Sequence, residues 1–204
     1  ALQSDMLGAG SLGVRHLVCM GGDPPHLGDH PDAKPVFDFG TEELISAAVA
    51  LTKGEDSTGN SLNQAPDFNI GAVVNPGASD LDNELARFEK KIDSGARYFQ
   101  TQAIFDASAF EAFMNRVARF NVPIIAGILP VKSARMAQHM NNNVPGIDVP
   151  AEVITAIDAA EDVKAVSSEI TAEIVRDIKP MCQGIHIMAI GWETLIPGIL
   201  EQAA

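Results

Sequence analysis

Basic side chains are scarce in this chain. Lysine and arginine number 14 against 27 aspartates and glutamates, a formal charge of −13 over 204 residues. Nucleic acid and anionic membrane surfaces are polyanions that call for a basic patch, so the balance argues against both as partners. Cysteine is nearly absent: Cys19 and Cys182 are the only two. That leaves no disulfide framework and suggests a reduced, cytoplasmic compartment. No apolar run approaches the ~20 residues of a membrane span, and no charged-then-apolar leader is present. Several catalytic signatures are missing too: there is no serine in a nucleophile elbow, no P-loop and no GxGxxG fingerprint. His26, Asp29, His30 and Asp32 lie close in sequence, but their spacing fits no standard zinc pattern, and no metal is expected.

What is present is an alternation. Short apolar runs at His16–Met20, Asn69–Val74, Tyr98–Ile104, Pro123–Leu129 and Ile185–Ile190 read as buried strands. Amphipathic helices fall between them. Thr41 is placed to cap the first of these, with Glu42 and Glu43 near its positive end. Ser79 is placed to cap the next, whose stripe of Leu81, Leu85, Phe88 and Ile92 stops at Gly95. A third carries Phe110, Phe113, Met114 and Val117 at helical spacing. A short helix follows near Ser133–Met140, two more lie between Pro150 and Lys179, and a last one runs from Trp192 to the end. The segment Gly54–Pro66 is a polar surface loop, and nothing resembles a linker, so residues 1–204 read as a single domain.

Five buried strands alternating with helices mean parallel βαβ units, an α/β fold. A doubly wound sheet and a (β/α)8 TIM barrel both fit. Polar residues recur just after successive strands: Asp23, Asn75, Gln102 and Trp192. Decoration of several strand ends favours the barrel, where all such ends share one rim. A barrel needs eight strands, so about five of its eight strand–helix units are represented. Ala1–Ala9 already reads as helix, and the missing units are expected on the N-terminal side.

The segment LVCMGGDPPHLGDHPDAKPVFD, Leu17 to Asp38, is the most informative stretch. Gly21-Gly22 lets another group approach the backbone where the strand ends, and Pro24-Pro25 stops strand pairing. Asp23 is therefore a site carboxylate or a turn residue. Gln102 sits in an otherwise apolar strand beside Gln100 and Thr101, so it serves a ligand or bonds to its neighbours. Asn75-Pro76 marks a strand end or simply a turn. Glu84, Arg87 and Lys91 fall at i, i+3 and i+7, which makes a solvated charged face or a contact surface for a phosphate or ribose.

Taken in order and spacing, these residues resemble the C-terminal two-thirds of the methylenetetrahydrofolate reductase family. The resemblance rests on ALQSDMLGA, GGDPPHLGDHPDAKPVFD, NPGASDLDNELARFEKKIDSGARYFQTQAIFD, PIIAGILPVKSARMAQHMNN, VPGIDVPAEV and GIHIMAIGWE. It implies a flavin-dependent TIM barrel that reduces 5,10-methylenetetrahydrofolate to 5-methyltetrahydrofolate by hydride transfer, in one-carbon and methionine metabolism. It implies FAD as cofactor, a folate as substrate, NAD(P)H or an electron-donating partner subunit as donor, and an oligomer. Gly22 and Asp23 match the flavin-contacting Gly-Asp of the family, the aspartate also stabilising a cationic folate intermediate. Phe37 and Asp38 match a pair along the cofactor, and Asn75 a position often held by tyrosine near it. Glu84, Arg87 and Lys91 match residues that hold the adenosine and phosphate of FAD. Gln102 matches the pterin-binding glutamine. Thr155 and Trp192 stand where some members carry a folate-binding glutamine and arginine. The general-acid glutamate of the family belongs to the first strand, which lies outside this sequence. Two other readings stay open: a non-catalytic flavin- or folate-binding subunit, and a different barrel enzyme such as an aldolase. The latter calls for a lysine or metal cluster at a strand end, and no lysine lies inside the five strands.

Overall fold

Each of the five apolar runs forms a strand, within a few residues of the expected bounds. The structure is a computed structural model that describes residues 1–22 and 24–204; Asp23 lies outside the described residues. The strands are β1 (His16–Cys19), β2 (Asn69–Val74), β3 (Tyr98–Ala103), β4 (Ile124–Ile128) and β5 (Gly184–Ile187). The helices are α1 (Leu2–Ser11), α2 (Thr41–Thr52), α3 (Leu81–Asp93), α4 (Ala107–Val117), α5 (Ala134–Asn143), α6 (Ala151–Asp158), α7 (Val163–Ile178) and α8 (Ile196–Ala203).

The boundaries have local causes. Proline has no N–H to give a ladder, so β4 begins after Pro123, and Ile124 N–H donates to Gln183 Oε1 at 2.8 Å. β5 ends at Ile187, short of the expected Ile190; the Met188 N–H still donates to the Ile128 carbonyl at 2.8 Å, and the chain turns away by Ile190, whose φ is a left-handed +47°. Two caps differ from expectation. Thr41 is the first residue of α2, not its cap; Gly40 precedes it, and its N–H donates to the Glu43 carboxylate, which reaches back from the first turn. At α3 the cap is Asp80, not Ser79: Asp80 Oδ1 accepts the Asn83 N–H at 3.0 Å. A carboxylate offers the helix N-terminus both an acceptor and a full negative charge. α3 does give way at Gly95, whose φ of +111° an L side chain rarely adopts.

The strands form one parallel sheet in the order β1-β2-β3-β4-β5. β1 pairs with β2 from His16↔Asn69 to Cys19↔Ala72, and β4 with β5 from Ile125↔Gly184 to Ile128↔Ile187. Each strand lies beside its chain neighbours, with no point where the order reverses. A doubly wound sheet requires such a reversal. The fold is α/β, and its strand order is that of the (β/α)8 barrel, of which this chain holds five strands.

The chain divides into two interleaved compact units, residues 1–73 with 87–99 and residues 74–86 with 100–204. The first is cored by Ile45, Leu51, Ile70, Phe88 and Phe99, all 2% exposed or less, with the two phenylalanine rings 4.1 Å apart. The second buries Phe110, Phe113, Ile124, Ile128 and Ile178. Each such side chain contributes about 1.5–3 kcal/mol of transfer free energy. Among the described residues no helix is long and apolar enough to cross a membrane.

Candidate functional site

In the first unit, the run after β1 opens into a cavity of about 840 Å³. Gly21, Gly22, Phe37 and Asp38 line it, together with Met20 and with Met6 of α1. The cavity therefore brings together three residues singled out in the sequence, Gly22, Phe37 and Asp38. The space beside Gly22 is open: a Cβ added there would meet nothing within 4 Å. Phe37 is 78% exposed, an apolar ring held in water. Met20, Val36 and Phe39, which line the same cavity, are exposed as well, and a patch of exposed apolar side chains marks a place where a ligand or partner packs. Cys19, at the end of β1, is buried, and burial pushes its thiol up from its usual range, which makes it a packing group and a poor nucleophile.

Glu84, Arg87 and Lys91 do not share one solvated face. Arg87 is exposed, but Lys91 is 2% exposed and its Nζ donates to the Val73 carbonyl at 2.7 Å. In the second unit, Glu84 is buried and its Oε1 accepts the Asn75 N–H at 2.9 Å. Both charges are turned onto backbone groups at the C-terminal end of β2. Asn75 is likewise engaged: its Nδ2 donates to the Pro145 carbonyl at 3.1 Å and its Oδ1 accepts the Gly77 N–H at 3.2 Å. These bonds join the loop after β2 to the loop after α5.

Gln102 is the penultimate residue of β3 and half-buried. Its Oε1 accepts the Ala103 N–H at 3.0 Å, and its Nε2 has no hydrogen-bond partner among the described residues. The backbone beneath it is fixed by Thr101, whose buried hydroxyl donates to the Gln102 carbonyl at 2.7 Å and accepts the Gly127 N–H at 2.9 Å. Gly127 must be glycine here, since an added Cβ would lie 2.4 Å from the Thr101 carbonyl oxygen. The result is a rigid strand end that presents a primary amide with open donor capacity.

Thr155 stands apart on the exposed side of α6, with its hydroxyl donated to the Ala151 carbonyl at 2.8 Å. Trp192, half-buried after β5, has the ammonium groups of Lys132 and Lys164 at 5.6 and 6.0 Å from its ring centroid. Sequence reasoning passed over Lys132 and Lys164. The available signal was a lysine just past β4, in the same strand-end position as the residues that were noticed. Among the described residues no three His, Cys, Asp or Glu side chains converge as a metal site.

A family description for methylenetetrahydrofolate reductase matches residues 1–204. The chain is 29% identical over 173 residues to the 5,10-methylenetetrahydrofolate reductase of Escherichia coli K12, covering 81% of this chain and 51% of that protein. It is 25% identical over 210 residues to methylenetetrahydrofolate reductase 2 of Schizosaccharomyces pombe, covering 96% and 32%. It is 26% identical over 157 residues to methylenetetrahydrofolate reductase (NADH) 1 of Zea mays, covering 74% and 26%. The chain thus spans about half the length of the bacterial relative and less of the others. Among solved structures it is similar, at a TM-score of 0.47 and 25% identity over 70% of this chain and 54% of the other, to an uncharacterized Clostridium thermocellum protein described as binding two copies of 5-methyl-5,6,7,8-tetrahydrofolic acid.

Proposed function

The chain belongs to the methylenetetrahydrofolate reductase family, and from that premise we propose that its protein reduces 5,10-methylenetetrahydrofolate to 5-methyltetrahydrofolate with a bound flavin. The observation that carries this reading is the family match along residues 1–204; on this reading Gln102 would hold the pterin.

The residues fit an FAD. A cavity of about 840 Å³ with open space beside Gly22 and an exposed Phe37 suits a flat ring system. Gly22, Phe37 and Asp38 would hold the flavin end, and exposed Arg87 would meet phosphate. By the resemblance Glu84 and Lys91 would also serve the adenosine and phosphate part of FAD; each is bonded to backbone near the end of β2. When bound, the flavin supplies the hydride.

The chain's own residues orient and polarise. Gln102 can donate through Nε2 to the pterin edge, and the second lone pair of its Oε1 remains available to accept. With its backbone fixed by Thr101, that amide loses little freedom on binding, which favours a productive pose. Asp23 would lie near the positive charge that develops on the folate, where a fixed carboxylate is electrostatically favourable. The reaction calls for an electron donor, NAD(P)H or a partner subunit, and we place the protein in the cytoplasm as an oligomer.

The test is spectroscopic. The complete protein, purified, should carry a flavin absorbance near about 450 nm that bleaches on reduction and returns on adding methylenetetrahydrofolate. A protein that purifies without flavin and does not take it up would refute the reading.

A further inference from the structure

We propose that Asn75 is a positioning residue for the substrate site: it clasps the loop between α5 and α6 onto the end of β3, and so fixes the backbone that presents Gln102. This rests on the folate reading above, in which Gln102 meets the pterin, and it gives Asn75 a task other than the cofactor contact that the resemblance implies. The groups involved all lie in the second unit. Asn75 is tied down within its own turn. Its N–H donates to Glu84 Oε1 at 2.9 Å and its Oδ1 accepts the Gly77 N–H at 3.2 Å. Only Nδ2 leaves the turn, to donate to the Pro145 carbonyl at 3.1 Å, 70 residues along the chain. An asparagine amide can serve both sides at once, as it carries an acceptor and a donor.

The two loops touch backbone to backbone, and glycines allow it. A Cβ added at Gly77 would run into the Gly146 carbonyl, and one added at Gly146 would run into the Asn75 amide. Gly146 also has φ +78°, which an L side chain rarely adopts. The far end of the loop is fixed as well. Asn141 of α5 donates from Nδ2 to the Val149 carbonyl at 3.0 Å and accepts the Val149 N–H on Oδ1 at 2.7 Å. The loop is therefore pinned at Pro145 and at Val149, by one asparagine at each end.

Between those pins the loop is packed on β3. Ile147 and Val149 are buried in one cluster with Ala103, the residue after Gln102, and with Leu129 just past β4. The Ala103 N–H is the donor that Gln102 Oε1 accepts at 3.0 Å. A loop released at Pro145 loosens the packing on Ala103, and with it the bond that orients the Gln102 amide. Positioning of this kind is steep: a displacement of about 1 Å far from the chemistry can cost roughly a hundredfold. With the pin at Val149 still in place, the expected effect is smaller.

The experiment follows Asn75→Asp and Gly146→Ala in the complete protein, with 5-methyltetrahydrofolate and FAD as probes. Asn75→Asp keeps the acceptor for Gly77 and sets an oxygen against the Pro145 carbonyl; Gly146→Ala forces the same contact open from the loop side. In each, the Ile147 and Val149 amides should exchange their hydrogens faster. Calorimetry should show 5-methyltetrahydrofolate binding roughly tenfold more weakly, the upper range for the net worth of one hydrogen bond. The double variant should lose no more than the more damaging single one, because both break one contact. A role in stability alone would lower the denaturation midpoint and leave the affinity of the folded protein as it was; that result overturns the inference and leaves the reductase reading intact. A loss of FAD affinity as large as that for the folate would make Asn75 a cofactor contact and overturn it too, as would additive losses in the double variant. An unmutated protein that binds no 5-methyltetrahydrofolate overturns the folate reading and this inference together.

Discussion

Lys91 Nζ donates to the carbonyl of Val73 across 2.7 Å while the lysine is 2% exposed. A buried ammonium is costly unless paired and hydrogen-bonded, and here its charge is directed at the backbone of β2 one residue before that strand ends. The polar loop that follows β2 therefore starts from an anchored point.

Removing that anchor should show in stability. Lys91→Met keeps most of the stem volume and loses the charge-assisted bond, leaving the Val73 carbonyl without this donor. The expected cost is about 1.5–3 kcal/mol, read as a lower denaturation midpoint in urea with an unchanged slope. A variant as stable as the parent would mean that Lys91 has little weight in the fold.

Glu84 gives a matched pair of variants. Glu84→Gln retains an oxygen to accept the Asn75 N–H, whereas Glu84→Ala leaves that donor unmet. The alanine variant should be less stable than the glutamine variant by roughly 1 kcal/mol, the net value of one hydrogen bond. Equal stabilities would place the role of Glu84 elsewhere, in binding rather than in the loop.

Gly127→Ala puts a methyl 2.4 Å from the Thr101 carbonyl oxygen, and the obstructing atom is backbone. Strand β4 has to shift to admit it, at an expected cost of about 1–3 kcal/mol. Because the shift disturbs the backbone under Gln102, folate affinity should fall along with thermal stability. A soluble variant with full affinity would show that the end of β3 tolerates movement.

Gln102→Leu should impair the folate half-reaction and leave reduction of the flavin by its donor nearly intact, since in the proposed function the amide would contact only the substrate. Stopped-flow measurement of each half-reaction separates the two. Equal slowing of both would make Gln102 a packing residue.

The Gly54–Pro66 loop carries a local pH marker. Hydrogen bonds from the backbone and side chain of Asn60, and then from Thr58, hold the Asp56 carboxyl down at about 2. A depressed folded-state pKa adds stability that is present above the unfolded value and lost as pH falls through the folded one. The Asn60 amide resonance should therefore titrate near pH ~2 and not in the usual carboxylate range. A midpoint close to that of free aspartate would dissolve the hydrogen-bonded turn.

What the sequence determined by itself was local. Apolar runs closed by turn residues marked all five strands, because strand formation depends on side chains a few positions apart and on where glycine and proline break the ladder. Helices were equally legible from their apolar stripes, except at the caps, where Gly40 and Asp80 took the places expected of Thr41 and Ser79. The order of motifs was enough to indicate the family. Tertiary structure decided what depends on residues far apart in the chain meeting in space. Strand order, and with it the choice of the barrel over a doubly wound sheet, follows from which strands pair. The charges of α3 look alike in sequence, yet Lys91 and Glu84 are buried and bond to backbone groups near the end of β2, while Arg87 is exposed. Lys132 and Trp192, 60 residues apart, meet because β4 and β5 are neighbours in the sheet. No periodicity encodes that proximity; it arises only when the strands pair.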